Sequence, residues 1–329
     1  IFITSGKICE EVCVKNLEDR EFVLKVQHES ENFFSVIKDS GDDLGDVTNG
    51  IKIFARVEIL ESYGEIFFER GEGVGVVTLP GLKISVGEAA VNPIPRKMIE
   101  LAVREIIQKN SVKITIKIPG GEEIAKRTFF PRLGIVGGLS ILGTSGLVKP
   151  MSEKALLDSL TLELNMISAL RFQEIFLTFA GTGEKAVRKI FNLTSRNVIQ
   201  TGNYIGYVID EALRLNFNKI TICGHPGKLL KIAAGSFNTH SKISDGRLEA
   251  LCTHLALAGA GREFITKIFN SNTTNEAIEL INSANFNFVW NNIAAIIAKK
   301  CRERTFHKIK FDIFIINNDE KILGSFINE

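Results

Sequence analysis

Residues 218 to 228 read Asn-Lys-Ile-Thr-Ile-Cys223-Gly224-His225-Pro226-Gly227-Lys228. An apolar, β-rich run meets a glycine-bearing loop, and a helix begins near Gly227. The same unit recurs at Glu174–Ala180 before a helix near Gly183, and at Asn197–Gln200 before one near Asn203. A fourth copy is read at Gly134–Leu142 before a helix near Met151. Alternation of strand, loop and helix argues for a parallel sheet with right-handed crossovers. On open α/β sheets ligands sit outside the carboxyl ends of the strands, so all four loops are expected at one edge.

The fourth copy lies in Leu133–Pro150, where five glycines interrupt an apolar run that ends in Lys149 and Pro150. Glycine lets a backbone approach a ligand closely and take positive φ. Bare N–H groups at a following helix N-terminus favour anions and polar ligand groups. This run is therefore expected to be a buried strand feeding a ligand-cradling loop. Upstream the pattern differs. Strand candidates fall at 12–14, 22–26, 50–59, 66–68, 75–78, 113–118 and 127–130, with one helix over 96–108 behind Pro93 and Pro95. The expected architecture is an N-terminal α+β domain, residues 1–130, followed by a Rossmann-like parallel-sheet α/β domain, residues 131–329. Helices over 275–281 and 288–301 and a closing strand, Lys310–Ile316, complete the second domain.

With 329 residues, 45% of them hydrophobic, the chain is long enough for two ordinary cores. A net charge of +2 argues against a dedicated nucleic-acid surface, while leaving room for a local basic pocket for an acidic small molecule. No uncharged apolar run reaches the length of a membrane span, so no membrane partner is expected. Five cysteines without a Cys-x-x-Cys pair or an even framework suit a reducing cytoplasm. Homo-oligomerisation is left open.

The glycine loops match neither phosphate motif: none has G-x-x-x-x-G-K-[ST] spacing, and none completes G-x-G-x-x-G after a strand with an acid downstream. Cys223 and His225 with Cys252 and His254 resemble a zinc set only superficially. Cys252 and His254 are two apart on an apparent helix and face different ways, so no metal site is expected. The acidic turn Lys38-Asp39-Ser40-Gly41-Asp42-Asp43, followed by Asp46-Val47-Thr48-Asn49-Gly50, lacks the ladder of a calcium loop. Residues 234–249 are dense in donors and acceptors between apolar helices, and contain His240, Asp245 and Arg247.

Ordered stretches of the chain resemble the CbiD-type cobalt-precorrin-5B (C1)-methyltransferases of anaerobic cobalamin biosynthesis. In the first half they are Val36–Asp43, Asp46–Gly50, Gly71–Gly75, Thr78–Leu82 and Gly87–Arg96. In the second they are Pro131–Gly138 through Pro150–Ser152, Gly224–Lys228, Asn238–Ser241 and Asp245–Arg247. The chain opens after the point where the family's Gly-Tyr-Thr-Thr-Gly segment stands, and the loop Ala180–Gly183 departs from the family pattern. The resemblance implies S-adenosylmethionine as methyl donor and a cobalt corrinoid as acceptor, with cobalt present only as part of the substrate. Glycine loops are then expected to hold the donor through Gly143, Thr144, Ser145, Gly181, Gly183, Asn203, Gly206, Gly224 and Gly227. The polycarboxylate substrate would meet Asp42, Asp43, Thr48, Arg96, Arg132, Lys149, Lys228, His240 and Arg247. Asp245 and His225 are the candidates for removing a proton. Two other readings are a nucleotide-dependent phosphotransferase using Gly71–Gly75 over phosphates and a non-catalytic corrinoid-binding or metabolite-binding protein.

Overall fold

A computed structural model of the chain describes residues 1–30, 32–41, 46–143, 145–147 and 153–328. The chain forms two compact units, Ile1–Leu162 and Glu163–Glu329. Expected site residues Asp42, Asp43, Thr144 and Lys149 lie outside the described residues.

The first unit contains α1 (Phe2–Ser5), β1 (Glu11–Lys15), β2 (Glu21–Lys25), β3 (Gln27–Ser30), β4 (Phe33–Ile37), β5 (Lys52–Tyr63), β6 (Ile66–Arg70) and β7 (Val76–Val77). It continues with α2 (Pro93–Arg104), β8 (Asn110–Lys117), α3 (Gly121–Ala125) and β9 (Ile135–Val136). Strands order as β3-β4-β5-β8-β6, with β5 antiparallel to β4 and β8, and β6 parallel to β8. On β8, Val112, Ile114 and Ile116 alternate onto one face and are buried against Ile53, Val57, Ile66 and Phe68. Ile99 and Val103 of α2 close that core, as their helical spacing predicts. Residues 127–130 are not the expected strand. They continue the turn that ends α3, where the Thr128 hydroxyl donates to the Ala125 carbonyl at 2.7 Å.

The run Gly134–Leu142 also differs from its reading as the first parallel strand. Its one strand, β9, pairs antiparallel with β7 inside the first unit, and Leu139 and Ile141 make only isolated parallel bridges to Val74 and Val91. Gly134 and Gly137 sit at φ 73° and 76°, which breaks any longer ladder. Leu139 donates to the Gly73 carbonyl at 2.9 Å and Ile141 to the Ala90 carbonyl at 2.8 Å, so the backbone bonds run upstream. The first compact unit accordingly runs on to Leu162.

Helix α4 (Glu153–Ala169) leads into the second unit, whose sheet uses β10 (Glu174–Thr178), β11 (Val198–Gln200), β12 (Lys219–Gly224), β13 (Lys310–Ile316) and β14 (Ile322–Phe326). Between them lie α5 (Gly181–Ile190), α6 (Ile205–Arg214), α7 (Pro226–Ala233), α8 (Arg247–Leu257), α9 (Arg262–Phe269), α10 (Thr274–Ser283) and α11 (Val289–Arg304). The order is β11-β10-β12-β13-β14, the first four parallel and β14 antiparallel. Strands β10, β12 and β13 are buried on both faces, as strands covered by crossover helices must be. The chain leaves β10 toward β11 on one side and β12 toward β13 on the other, which puts a topological switch point between the carboxyl ends of β10 and β12. Strand β14 extends the sheet beyond the expected closing strand and follows a turn at Asn317. Asn317 Oδ1 accepts from the Asp319 and Lys321 amides at 3.0 and 2.9 Å, turning the chain back along β13. Among the described residues no helix is long and apolar enough to cross a membrane.

Candidate functional site

At the carboxyl edge of the second unit's sheet lie the loops after β10, β11 and β12, of which the first two are stitched together by backbone. The Thr201 amide donates to the Thr178 carbonyl at 2.7 Å, joining the first two. Helices α5 and α6 begin with Ala180 and Tyr204 as N-caps and have no side-chain cap bond. The first-turn N–H groups of α5 are therefore left for solvent or a ligand, whereas in α6 the Gly206 amide is taken by the Phe237 carbonyl at 3.0 Å. The glycines divide by task. A Cβ at Gly181 or Gly202 would meet nothing within 4 Å, so the backbone there is open. At Gly183, Gly206 and Gly224 it would press on the Thr178 Cβ at 3.1 Å, the Phe237 Cβ at 2.7 Å and the Phe179 ring at 2.6 Å respectively. These three serve close helix-to-strand and helix-to-loop packing. Gly227 lies under the His225 ring, whose Nδ1 would stand 3.3 Å from such a Cβ.

A polar cluster lies beyond these loops. Lys228 Nζ on α7 donates to Asn203 Oδ1 at 2.6 Å and to the Thr239 carbonyl at 3.4 Å. One turn on, Lys231 Nζ donates to the same Thr239 carbonyl at 3.1 Å. Thr239 is fully buried, and its amide donates to the Asn203 carbonyl at 3.0 Å, so this part of 234–249 is tied to the loop after β11, while residues 241–243 are exposed. Phe237 is held there by Arg304, whose guanidinium stands 4.7 Å from the ring and donates to both Asp210 oxygens at 2.8 and 2.6 Å. Arg247 forks onto the Asp245 carboxylate, one arm at 2.9 Å. That bond, opposed by desolvation and helped by the charges of Arg247 and Lys231, holds Asp245 below the usual carboxylate range. The Lys228 ammonium is pushed down, first by burial and then by the Lys231 and Arg247 charges.

His225 caps α7: its Nδ1 accepts from the Gly227 amide at 3.1 Å, and its Nε2 faces Asn275 Oδ1 at 2.9 Å. With Nδ1 accepting, the proton sits on Nε2 and is donated to Asn275, so both ring nitrogens are engaged. Burial lowers its proton affinity more than the Asn275 bond raises it. His240 Nδ1 is likewise used locally, accepting from the Lys242 amide at 3.1 Å.

The expected residues of the first unit form a second set. Lys38 bonds Ser40, Asp46 and Thr48, the last at 2.5 Å, and Thr48 also donates to Asp46 at 2.6 Å. Burial alone would raise the Asp46 carboxyl, but the Lys38, Ser40 and Thr48 donors outweigh it and hold Asp46 well below the usual carboxylate range. Thr48 is thus part of an internal network. Arg96 donates to the Val91 and Ala89 carbonyls at 2.7 and 3.2 Å, pairs with Glu88 at 2.7 Å and stacks on Phe68, so its guanidinium is already committed. Arg132 is half-buried in a turn, its amide bonded to the Phe129 carbonyl at 3.0 Å. The Ser145 carbonyl accepts from Asn16 Nδ2 at 2.9 Å, and Gly143 has open space beside it.

The glycines of the two upstream motifs are used mainly by the chain itself. Gly73, at φ 71°, lies so close to Ile118 that a Cβ would fall on its carbonyl oxygen, and Gly138 is pressed equally hard on Gly73. Gly134 abuts Leu79 and Gly137 abuts Arg70, each at 2.6 Å from an added Cβ. Gly71–Gly75 is therefore a packed crossing, and the glycines in the front half of Leu133–Pro150 are taken up by close packing. Lys231 is the residue that sequence reasoning missed. Its signal was a lysine standing between Leu230 and Ile232 in an otherwise apolar helix, one turn after Lys228.

Together these features define a mixed α/β protein with a cation-rich polar cluster at the carboxyl edge of a mainly parallel sheet. A family model described as CbiD matches residues 1–150, and one described as CbiD, C-terminal domain, matches 238–325. A protein of Alkaliphilus metalliredigens named cobalt-precorrin-5B C(1)-methyltransferase is 44% identical over 291 residues, covering 88% of this chain and 77% of its own. One of the same name from Methanocaldococcus jannaschii is 37% identical over 332 residues, covering 99% and 91%. A crystal structure of a cobalamin biosynthesis protein (cbiD) from Archaeoglobus fulgidus is 32% identical, with a TM-score of 0.38, covering 75% of this chain and 78% of that one. The chain belongs to the CbiD family.

Proposed function

We infer that this chain is a C-methyltransferase of cobalamin biosynthesis, which methylates C1 of cobalt-precorrin-5B with S-adenosylmethionine as donor and yields cobalt-precorrin-6A. The carrying observation is identity of 37–44% to relatives of that name over 87–99% of the chain. The phosphotransferase reading is disfavoured by the packed state of Gly71–Gly75. The second unit is read as a Rossmann-like donor domain: its strand order differs from the 3-2-1-4-5-6 arrangement, but it keeps a switch point beside β10.

The donor supplies an electrophilic methyl on sulfur, and an electron-rich ring carbon of the substrate takes it. Such a transfer needs alignment more than an activated side chain. The open backbone at Gly181 and Gly202 and the uncapped start of α5 suit a nucleoside and an amino-acid group. Lys228 and Arg247 suit substrate carboxylates through charge-assisted bonds. His225 is given the task of fixing the first turn of α7. Asp245, kept ionised by Arg247, is the carboxylate assigned to accept a proton leaving the ring. Incubation with donor and cobalt substrate should give a product heavier by one methyl group in mass spectrometry. Asp245→Asn should lower turnover more than affinity for S-adenosylhomocysteine. Equal loss of both would remove Asp245 from the chemistry, and no detectable binding of S-adenosylhomocysteine by the wild type would sink the methyltransferase reading.

A further inference from the structure

We infer that Lys231, together with Lys228, forms a carboxylate-binding pair that takes a carboxyl group of one of the two reactants. The inference rests on the methyltransferase reading for the identity of those reactants, and on the second unit's geometry for the site itself.

Lys231 is only 3% exposed, and its helix neighbours Leu229, Leu230, Ile232 and Ala233 are all buried. A lysine in such a position keeps its charge at a cost that only a partner offsets. The partner the fold supplies is a neutral one, the Thr239 carbonyl at 3.1 Å, which also receives Lys228. Two ammonium groups thus converge on one oxygen, with Asn203 Oδ1 as a second neutral acceptor for Lys228 at 2.6 Å. Among the described residues neither lysine has a carboxylate within ion-pairing distance, and the one acid of the cluster, Asp245, is gripped by the fork of Arg247. The cluster therefore holds three cations and one anion.

Each ammonium has three N–H groups, so after these bonds both retain donors for a further oxygen. A carboxylate, with two oxygens and a full charge, completes both lysines at once. Carboxylates are what the proposed reactants offer: the amino-acid end of the donor and the side chains of the macrocycle. The helix places the pair where such a group would arrive, at the carboxyl edge beside the Asn203 loop.

The test uses the full chain and four probes: S-adenosylhomocysteine against 5′-methylthioadenosine, which lacks the amino-acid group, and cobyrinic acid against its heptamethyl ester. Lys231→Met keeps the buried aliphatic length. If the donor's carboxylate is the guest, the variant should bind S-adenosylhomocysteine about 10-fold or more weaker, with methylthioadenosine unchanged. If the guest belongs to the macrocycle, the same loss should appear for cobyrinic acid and spare the ester. Should Lys231→Met fail to fold, Asn203→Asp decides: it places a carboxylate against Lys228 in a side chain of the same shape, and should abolish the preference for acid over ester or for homocysteine over thioether. Equal binding of all probes by wild type and folded variants overturns the pair, as does an equal loss for acid and ester with the homocysteine preference intact. A wild type that binds neither carboxylate probe overturns the pair and the methyltransferase reading together; intact wild-type binding with unaffected variants overturns the pair alone.

Discussion

Gly73 and Gly120 have nearly the same backbone, φ 71° and 74°, in opposite surroundings. A Cβ at Gly120 would meet nothing within 4 Å, whereas at Gly73 it would fall on the Ile118 carbonyl and stand 2.9 Å from the Gly121 amide. Gly120→Ala therefore adds only left-handed strain, about 1–2 kcal/mol. Gly73→Ala adds the same strain plus overpacking against backbone that cannot rotate away, about 1–3 kcal/mol more and about 2–5 kcal/mol in all. With a urea dependence of about 2.5 kcal/mol per molar, the first unit's midpoint should fall by about 0.4–0.8 M for Gly120→Ala and by about 0.8–2 M for Gly73→Ala. Urea titrations of the two variants beside wild type, followed by far-UV circular dichroism, supply the numbers. The comparison cancels the strain and leaves the close approach. If the two midpoints shift equally, the Gly71–Gly75 crossing is looser than its packing states, and a ligand-facing role for that loop is restored.

Arg96→Met should destabilise the first unit by about 2–3 kcal/mol in the same titration, because charged bonds to Val91, Ala89 and Glu88 are lost, while affinity for cobyrinic acid stays put. A weaker corrinoid affinity with unchanged stability would make Arg96 a substrate residue instead. His225 has its proton affinity lowered in the fold, chiefly by burial. The unfolded chain thus binds the extra proton first, and this part of the stability is full above a pH of about 6.5 and drains away as pH falls. His225→Asn keeps a capping oxygen without the titration, so its thermal midpoint should drop less than wild type's between pH 7.5 and 5.5. Some slope remains through His254, which is shifted the same way, and identical slopes would refute the assignment. Thr273 caps α10 by accepting from the Glu276 amide at 3.1 Å, while Glu276 returns a bond to the Asn272 amide at 2.8 Å. Removing that cap with Thr273→Ala should cost about 1 kcal/mol in chemical denaturation, and no measurable cost would mean that the helix start is held by packing alone.

Much of the second unit was legible because its signals are local. Glu174–Thr178, Val198–Gln200 and Lys219–Gly224 are short apolar runs with a glycine or threonine turn behind each, and that suffices to place three parallel strands and the helices that follow. Strand β14 was not legible, because its pairing with β13 depends on an Asn317 turn closing a bond between segments that carry no alternation of their own. Gly134–Leu142 has the same local signal as the true strands and was read with them. What separates it is distant: the Gly73, Gly75 and Ala90 backbones compete for its hydrogen bonds and win.

The candidate site divides along the same line. Lys228 and Asn203 are named from loops after strands of a parallel sheet, and Asp245 and Arg247 from a polar stretch between two apolar helices. Their convergence was not in the motifs, nor was Lys231, whose significance lies in being buried with a neutral partner. Arg96 and Thr48 carried the right chemistry for a carboxylate or a hydrogen bond, and folding spent both on internal partners. The sequence by itself determined the family, the strand-loop-helix grammar of residues 174–228 and the positions where chemistry could stand. Only the tertiary structure decided which glycines face open space and which are pressed on backbone, and which cations keep a free donor. Both depend on contacts between segments far apart along the chain.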